Sequence, residues 1–329
     1  MNKSLHFFNN PVVDQRMKSL TSKNEYNSLI DTLSVYGNVL TDVPMKQYTT
    51  FKTGGPADIL VHPLSSDDMR TIAAIASENR IPLTVIGGGS NLLVGDGGIR
   101  GIVMRVALDD DDDKLIISSE MGTIRADARV KKSTLIQHCI HRGFSGVEFM
   151  AGIPGCLGGG IVMNAGTNMG CFADILTRVR YINSKGKKID EVINRANTGY
   201  RSMGLPEGSI VYSAVFSLVP AENAQVVQHS VEQIIRERNQ KHPVQFPSAG
   251  SVFKNPDGLA SWKLINDAGL KGKSVGGAMV SDLHTNFIIN TGNATSADIR
   301  NVIELVQDTV LKTYGIHLYP EVRMIGDFS

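Results

Sequence analysis

The chain of 329 residues is long for a single hydrophobic core, so two domains are expected. A formal net charge of +1, with 20% charged and 42% apolar residues, excludes the basic surface that nucleic acid or an anionic membrane would demand. No apolar run reaches the roughly 18 residues of a membrane span, and the N-terminal stretch lacks the continuous apolar core of a secretory signal, so a cytoplasmic protein is the expectation. Cys139, Cys156 and Cys171 are an odd set without CxxC spacing, which argues against a disulfide framework or a structural zinc site.

In chain order, residues 25–36 read as a short helix. Ser66 is expected to cap a second helix in which Met69, Ile72, Ala73 and Ala76 share a face, ending before Pro82. A buried strand begins at Leu83 in the segment LTVIGGGSNLLVGDGGIRGIVMR (Leu83 to Arg105). It runs into Gly87, Gly88, Gly89, Ser90 and Asn91 and resumes as apolar strand from Leu92. A Rossmann dinucleotide fold wants GxGxxG opening a helix, but Leu92 stands at the third glycine position. Gly95, Gly97, Gly98 and Gly101 would also break any helix there. What remains is strand, glycine nest, strand, a way of holding a pyrophosphate on backbone amides without a helix dipole.

Asp109 to Asp113 form an acidic run that reads as a solvated loop. A helix is expected from Ser133 to Arg142. His138, Cys139 and His141 on it have no further ligand nearby, so no metal is expected. A second glycine segment, Gly143 to Gly170, interleaves glycines with apolar residues instead of the serines and charges of a linker. It suits either tight turns between buried strands or a backbone pressed against a ligand. A second such segment in one chain favours the ligand. Cys156 within it reads as a small buried apolar residue. Strands follow at Val179 to Asn183 and Ile210 to Val219.

The character changes at Pro220 and Ala221, where a helix begins with Val227, Val231, Ile234 and Ile235 on one face. The expected division is therefore an N-terminal segment 1–47, a domain 48–220 and a domain 221–329. In the last of these, Ser248 to Pro256 read SAGSVFKNP, and Thr295 with Asp298 forms a capping box. The helix that follows buries Ile299, Val302, Ile303, Val306 and Val310 and ends at Gly315. A terminal strand, Ile316 to Met324, carries Glu321.

Six motifs in order then resemble one family: YTTFKTGGPADIL, IGGGSNLLV, GVEFMAGIPGCLGGGIVMNAG, GYRSM, PSAGSVFKNP and YPEVRMIG, spread over about 280 residues. They are similar to the signatures of the UDP-N-acetylenolpyruvoylglucosamine reductase (MurB) family. The resemblance implies an α+β chain: an FAD-binding domain of the p-cresol methylhydroxylase and vanillyl-alcohol oxidase type, plus a C-terminal α+β substrate-binding domain. It implies noncovalent FAD and NADPH, and a small-molecule substrate, UDP-N-acetylglucosamine enolpyruvate, reduced for peptidoglycan synthesis.

Carried over residue by residue, the catalytic set is Arg201 at the substrate carboxylate, Ser251 as proton donor to C2 after hydride reaches C3 from flavin N5, and Glu321 beside Arg201. The cofactor contacts fall on Gly87, Gly88, Gly89, Ser90, Asn91 and Leu92, and on Gly152, Ile153, Pro154, Gly158, Gly159, Asn164, Ala165 and Gly166. Lys254, Asn255 and His284 are the expected substrate contacts. The chain departs from one branch of the family in lacking a tyrosine between Tyr212 and Ser251, and so resembles the branch without a tyrosine lid. Thr167, Asn168 and the GLPEG stretch depart from the common pattern too. Another flavin oxidoreductase of this fold and a nucleotide-binding module without turnover are the alternatives. Nothing in the pattern specifies an oligomer.

Overall fold

The computed structural model describes residues 23–110, 115–118 and 121–329. The segment before residue 23 and part of the expected acidic loop lie outside them; Asp109 and Asp110 are exposed. Helix α1 (Lys23–Ser34) leads to β1 (Gly37–Pro44), which pairs antiparallel with β2 (Pro56–Pro63). The chain crosses through α2 (Ser66–Glu78) to β3 (Leu83–Ile86), passes the short β4 (Leu92–Val94) and returns as β5 (Ile99–Arg105). Strand β5 lies between β2 and β3, parallel to both, giving the order β1-β2-β5-β3. Residues 37–44 thus belong to the first sheet and not to a separate N-terminal segment 1–47.

A parallel strand covered on both faces needs apolar residues in succession, and β5 supplies them with Ile102, Val103 and Met104. Alternate residues divide between two cores. Ile59, Val61, Ile102 and Met104 join Met69 and Ile72 of α2 in the larger one, while Leu60 and Val103 join Met45, Ile86 and Val94 in a smaller one. The cap of α2 is Ser65, one residue before the expected Ser66. Its extended backbone lets its side chain accept the Asp68 N–H.

The second sheet is antiparallel. It combines β6 (Ile116–Ser118) and β7 (Thr123–Asp127) with the later β11 (Leu176–Ile182), β12 (Lys188–Val192) and β13 (Ile210–Ser217), in the order β12-β11-β13-β7-β6. Between β7 and β11 run α3 (Lys132–Arg142), β8 (Phe144–Ser145), α4 (Leu157–Val162), the ribbon of β9 (Gly166–Thr167) and β10 (Gly170–Cys171), and α5 (Phe172–Ile175). After β14 (Val219–Pro220), which pairs with β8, comes α6 (Ala224–Lys241). Its buried residues Val227 and Val231 enter the larger core, and it packs on α3 and β8. The composition change at Pro220 marks the exit from β13; the helix after it still covers the first core, and the second core begins only at Ala249 in this direction.

That second core lies between α7 (Ser261–Asp267), the sheet β15 (Ser274–Val275), β16 (Ala278–Val280) and β17 (Ile288–Asn290), and α8 (Ser296–Tyr314). The expected capping box and stripe of α8 are present. Thr295 accepts from Asp298 N–H, Asp298 accepts from Thr295 N–H, and Gly315 closes the helix at φ 69°. The expected strand 316–324 shrinks to β18 (Arg323–Ile325). Pro320 has no N–H for a ladder, and before β18 the segment makes one isolated bridge, Phe253 to Pro320.

Contacts between the two parts are specific. Strand β18 pairs parallel with β4, and Phe51 and Leu93 of the first part are buried in the second core. Asp96 accepts the N–H groups of Ser296 at 2.9 Å and Ala297 at 2.8 Å, capping α8 from the other domain. A cap of this kind contributes about 1 kcal/mol, here to the docking of one domain on the other.

Candidate active site

The tight turn Gly199 to Ser202 is closed by hydrogen bonds in both directions and carries Arg201 with φ +59°. A non-glycine residue in the left-handed region is held there by its surroundings. The Arg201 guanidinium lies 4.8 Å from the Tyr200 ring centre, donates to the Gly166 carbonyl at 3.3 Å, and reaches Glu321 with Nε 2.5 Å from Oε1. Only 20% and 12% of the two side chains is exposed, so solvent screens this ion pair little.

Glu321 is fixed through its backbone. Its N–H donates to Val252 O at 2.7 Å, and its carbonyl accepts from Asn91 Nδ2 at 3.1 Å. The first contact puts Glu321 beside the residue after Ser251; the second ties it to the first glycine loop. Its other carboxylate oxygen, Oε2, is buried with no partner among the described residues. Burial raises the Glu321 carboxyl above the ordinary value, opposed by Arg201 and Lys254. Between the ordinary value and the raised one the folded chain holds a proton that the unfolded chain has lost. This group's contribution to stability therefore falls as pH rises through that window.

Ser251 follows Gly250, whose φ is +78°, and forms an isolated antiparallel bridge with Phe287. Asn286 clamps the same loop: its carbonyl accepts from Val252 N–H, its amide oxygen accepts from Phe253 N–H, and its amide nitrogen donates to Phe253 O. Lys254 is exposed and its charge acts on Glu321. Asn255 commits its amide oxygen to Ser261 N–H at the start of α7.

His284 packs edge-on against Phe287 at 4.9 Å and against His242 at 5.2 Å, with Nδ1 buried and unpartnered. Burial, Arg238 and His284 push His242 down to about 4, so it is neutral at pH 7. Arg238, one turn earlier on α6, donates to Gly152 O at 3.4 Å. A continuous path of contacts thus runs from the second glycine segment to the Ser251 bridge. Arg238 and His242 carry no motif and escape a sequence reading.

The two glycine segments cross. A Cβ on Gly88 would lie 2.8 Å from Gly155 Cα, and one on Gly87 would lie 2.7 Å from Cys156 Sγ. Cys156 is buried, as expected, with its thiol donating to Val106 O. Gly89 has φ +68°, and a Cβ there would stand 1.8 Å from Tyr48 O. Among the described residues, the backbone N–H groups of Gly87 to Asn91 find no acceptor. A run of free amides of this kind is an anion nest. It fits the diphosphate of a dinucleotide cofactor.

Beneath the crossing lies Lys132, 3% exposed, its ammonium donating to Pro154 O at 2.6 Å, while Ser90 Oγ donates to the same carbonyl at 3.1 Å. Leu92 begins β4. Ile153 and Pro154 occupy the crossing loop, and Gly158 packs on Ala128. Gly159 meets only Cys156 Sγ, 3.9 Å from a built Cβ. Asn164 turns inward: Nδ2 donates to Gly199 O and Oδ1 accepts from Ala173 N–H, so its side chain anchors the Arg201 turn. Ala165 accepts from Phe172 N–H through its carbonyl, and Gly166 supplies the Arg201 acceptor.

Gly89→Val combines the backbone strain with the overlap at Tyr48 and is expected to purify with little flavin. The flavin-to-protein ratio of Gly89→Val measures this, with its melting temperature beside that of the wild type as the control for fold, and full occupancy would remove the loop from the cofactor site.

The Asn91 amide ties the glycine loop of one domain to the Arg201–Glu321 pair shared with the second, an arrangement that fits an oxidoreductase built on an FAD-binding domain. Residues 57–190 match the family description "FAD binding domain", and residues 242–325 match "UDP-N-acetylenolpyruvoylglucosamine reductase, C-terminal domain". A UDP-N-acetylenolpyruvoylglucosamine reductase of Clostridium botulinum is 38% identical over 308 residues, covering 92% of this chain and 99% of the relative. One from Geobacter metallireducens is 39% identical over 291 residues, 88% and 95% of the two chains. The crystal structure of the reductase (MurB) from Thermus caldophilus superposes with a TM-score of 0.72 at 30% identity, over 88% of this chain and 98% of that one. The chain belongs to the UDP-N-acetylenolpyruvoylglucosamine reductase family.

Among the described residues no helix is long and apolar enough to cross a membrane, and no cluster of three or more metal-ligating side chains occurs.

Proposed function

We propose that the chain uses NADPH to reduce the enolpyruvyl ether of UDP-N-acetylglucosamine enolpyruvate, giving UDP-N-acetylmuramate. Bound FAD, once reduced, supplies a hydride from N5 to C3 of the enolpyruvyl group. The protein's part is to manage the charge and the proton that this leaves to be settled. Negative charge develops on C2 and on the adjoining carboxylate, and a fixed cation in a site shielded from water stabilises it. Arg201 is that cation, its planar fork matched to a carboxylate.

Ser251 gives its hydroxyl proton to C2. A serine is a weak acid, so it serves only a strongly basic carbon and only when held still; the Asn286 clamp on the next two residues is suited to that. Glu321 orients the guanidinium and acts beside it at the carboxylate. The gly-rich crossing holds the diphosphate of FAD on its amides, and Lys254, Asn255 and His284 line the substrate side. The reaction belongs to the cytoplasmic stage of peptidoglycan synthesis, the supply of cell-wall precursor for cell shape and division.

The observation that carries this reading is the Arg201–Glu321 contact made between the two domains beside the Ser251 loop. The test is direct. Purified protein should be yellow, release intact FAD on acid treatment, and under anaerobic conditions oxidise more than one equivalent of NADPH per flavin only when the enolpyruvyl substrate is present. A colourless preparation that takes up no FAD, or NADPH oxidation indifferent to the substrate, would refute it.

A further inference from the structure

We propose that Lys132 is the counter-cation of a diphosphate held at the crossing of the two glycine loops, and that this diphosphate belongs to FAD. The inference rests on the reading of that crossing as the flavin site and adds a residue to it that no motif marks.

An ammonium has three N–H donors, and among the described residues only one of those on Lys132 has an acceptor, the Pro154 carbonyl at 2.6 Å. The side chain is 3% exposed, and no carboxylate pairs with it among the described residues. A buried cation without a counter-charge is unfavourable. A neutral donor would strap the Pro154 carbonyl equally well, so the strap does not account for the charge. Next to it, the amides from Gly87 to Asn91 also lack acceptors, and the Ser90 hydroxyl is already drawn to the same Pro154 carbonyl. Unfilled donors and an unbalanced positive charge at one place call for an anion with several oxygens. The substrate's UDP moiety carries a diphosphate too. FAD is the assigned source because Ser90, Lys132 and Pro154 all fall within residues 57–190, the FAD-binding domain.

The same geometry makes binding sensitive to pH. Around the ammonium stand Ser90 of the first loop, Gly155 and Cys156 of the second, and Gly160 of α4, and of these only Cys156 carries an ionisable side chain. Burial lowers Lys132 to about 8. A neighbouring diphosphate favours the ammonium, so the complex keeps a proton at a pH where the free protein has lost it. The Kd for FAD is then flat below about pH 8 and rises above it, by up to tenfold per unit.

The experiment titrates apoprotein with FAD by fluorescence quenching from about pH 7 to pH 9.5, for the wild type, Lys132→Met and Lys132→Gln. UDP binding to the flavin-loaded proteins is measured in parallel. Both variants are expected to bind FAD about 10- to 100-fold more weakly at neutral pH, to lose the rise in Kd above pH 8, and to bind UDP as the wild type does. Wild type that binds FAD with a flat profile, beside a Lys132→Met within about twofold of it, would overturn the inference while leaving the flavin site standing. Wild type that binds no FAD would instead strike the functional reading beneath it. Weakened UDP binding with unchanged FAD binding would assign the lysine to the substrate and overturn the proposal. Should apoprotein melting show Lys132→Met unfolded, the wild-type profile decides, and a flat one overturns it.

Discussion

Ser251→Ala is expected to bind FAD and to be reduced by NADPH at the wild-type rate, yet to pass its reducing equivalents to the enolpyruvyl substrate about 100- to 10,000-fold more slowly, the usual worth of a positioned general acid. The separation follows from where the hydroxyl acts. Neither cofactor binding nor reduction by NADPH needs a proton at C2. The backbone of the loop should survive the change, because the Asn286 hydrogen bonds and the Val252 carbonyl contact with Glu321 involve no Ser251 side-chain atom. Ser251→Cys should recover part of the rate, since a thiol also delivers a proton. Rapid mixing of reduced enzyme with saturating substrate, with deuterium at C2 followed in D2O, measures the step. Wild-type transfer in Ser251→Ala would move the donor's role to water or to Glu321.

Arg201→Ala is expected to slow the same half-reaction by about 100- to 1,000-fold, the range for losing one charge-stabilising donor, with little effect on reduction by NADPH. The cation matters only when charge develops on the substrate. The variant also strands Glu321 in a site where one of its oxygens already lacks a partner. Without the guanidinium, burial raises that carboxyl further, and it becomes neutral at a higher pH than in the wild type. Glu321→Gln keeps the shape and removes the charge. It should slow transfer while leaving the Asn91 and Val252 backbone contacts in place, because those use the Glu321 main chain. Equal slowing of both half-reactions in either variant would contradict these roles.

What could be read from the sequence depended on how local its cause is. The α8 capping box and its apolar stripe are set by residues three or four apart, and the structure reproduces them. The glycine nest was legible because only glycine tolerates the approach of Tyr48 O to Gly89 and of Gly155 to Gly88. The Arg201–Glu321 pair spans 120 positions and has no local signal; the family motifs alone pointed to it. The boundary at Pro220 misled because a change of composition marks the end of a strand as readily as the end of a domain, and α6 still packs on the first core. Pro320 announced the break in the expected last strand through its missing N–H, and that cue outweighs the apolar pattern around it.

Lys132 had a local signal too. It stands at i relative to Leu135, Ile136 and Cys139, the i+3, i+4 and i+7 positions of the buried face of α3. A lysine in that register is either snorkelling or holding a charge inside, and 3% exposure decides for the second.

One anaerobic turnover tests the proposed reaction directly. Wild-type enzyme is reduced with one equivalent of NADPH and mixed with UDP-N-acetylglucosamine enolpyruvate while the flavin absorbance is followed. The oxidised spectrum is expected to return with stoichiometric UDP-N-acetylmuramate. A flavin that stays reduced with this substrate, and is reoxidised only when oxygen is admitted, would contradict it.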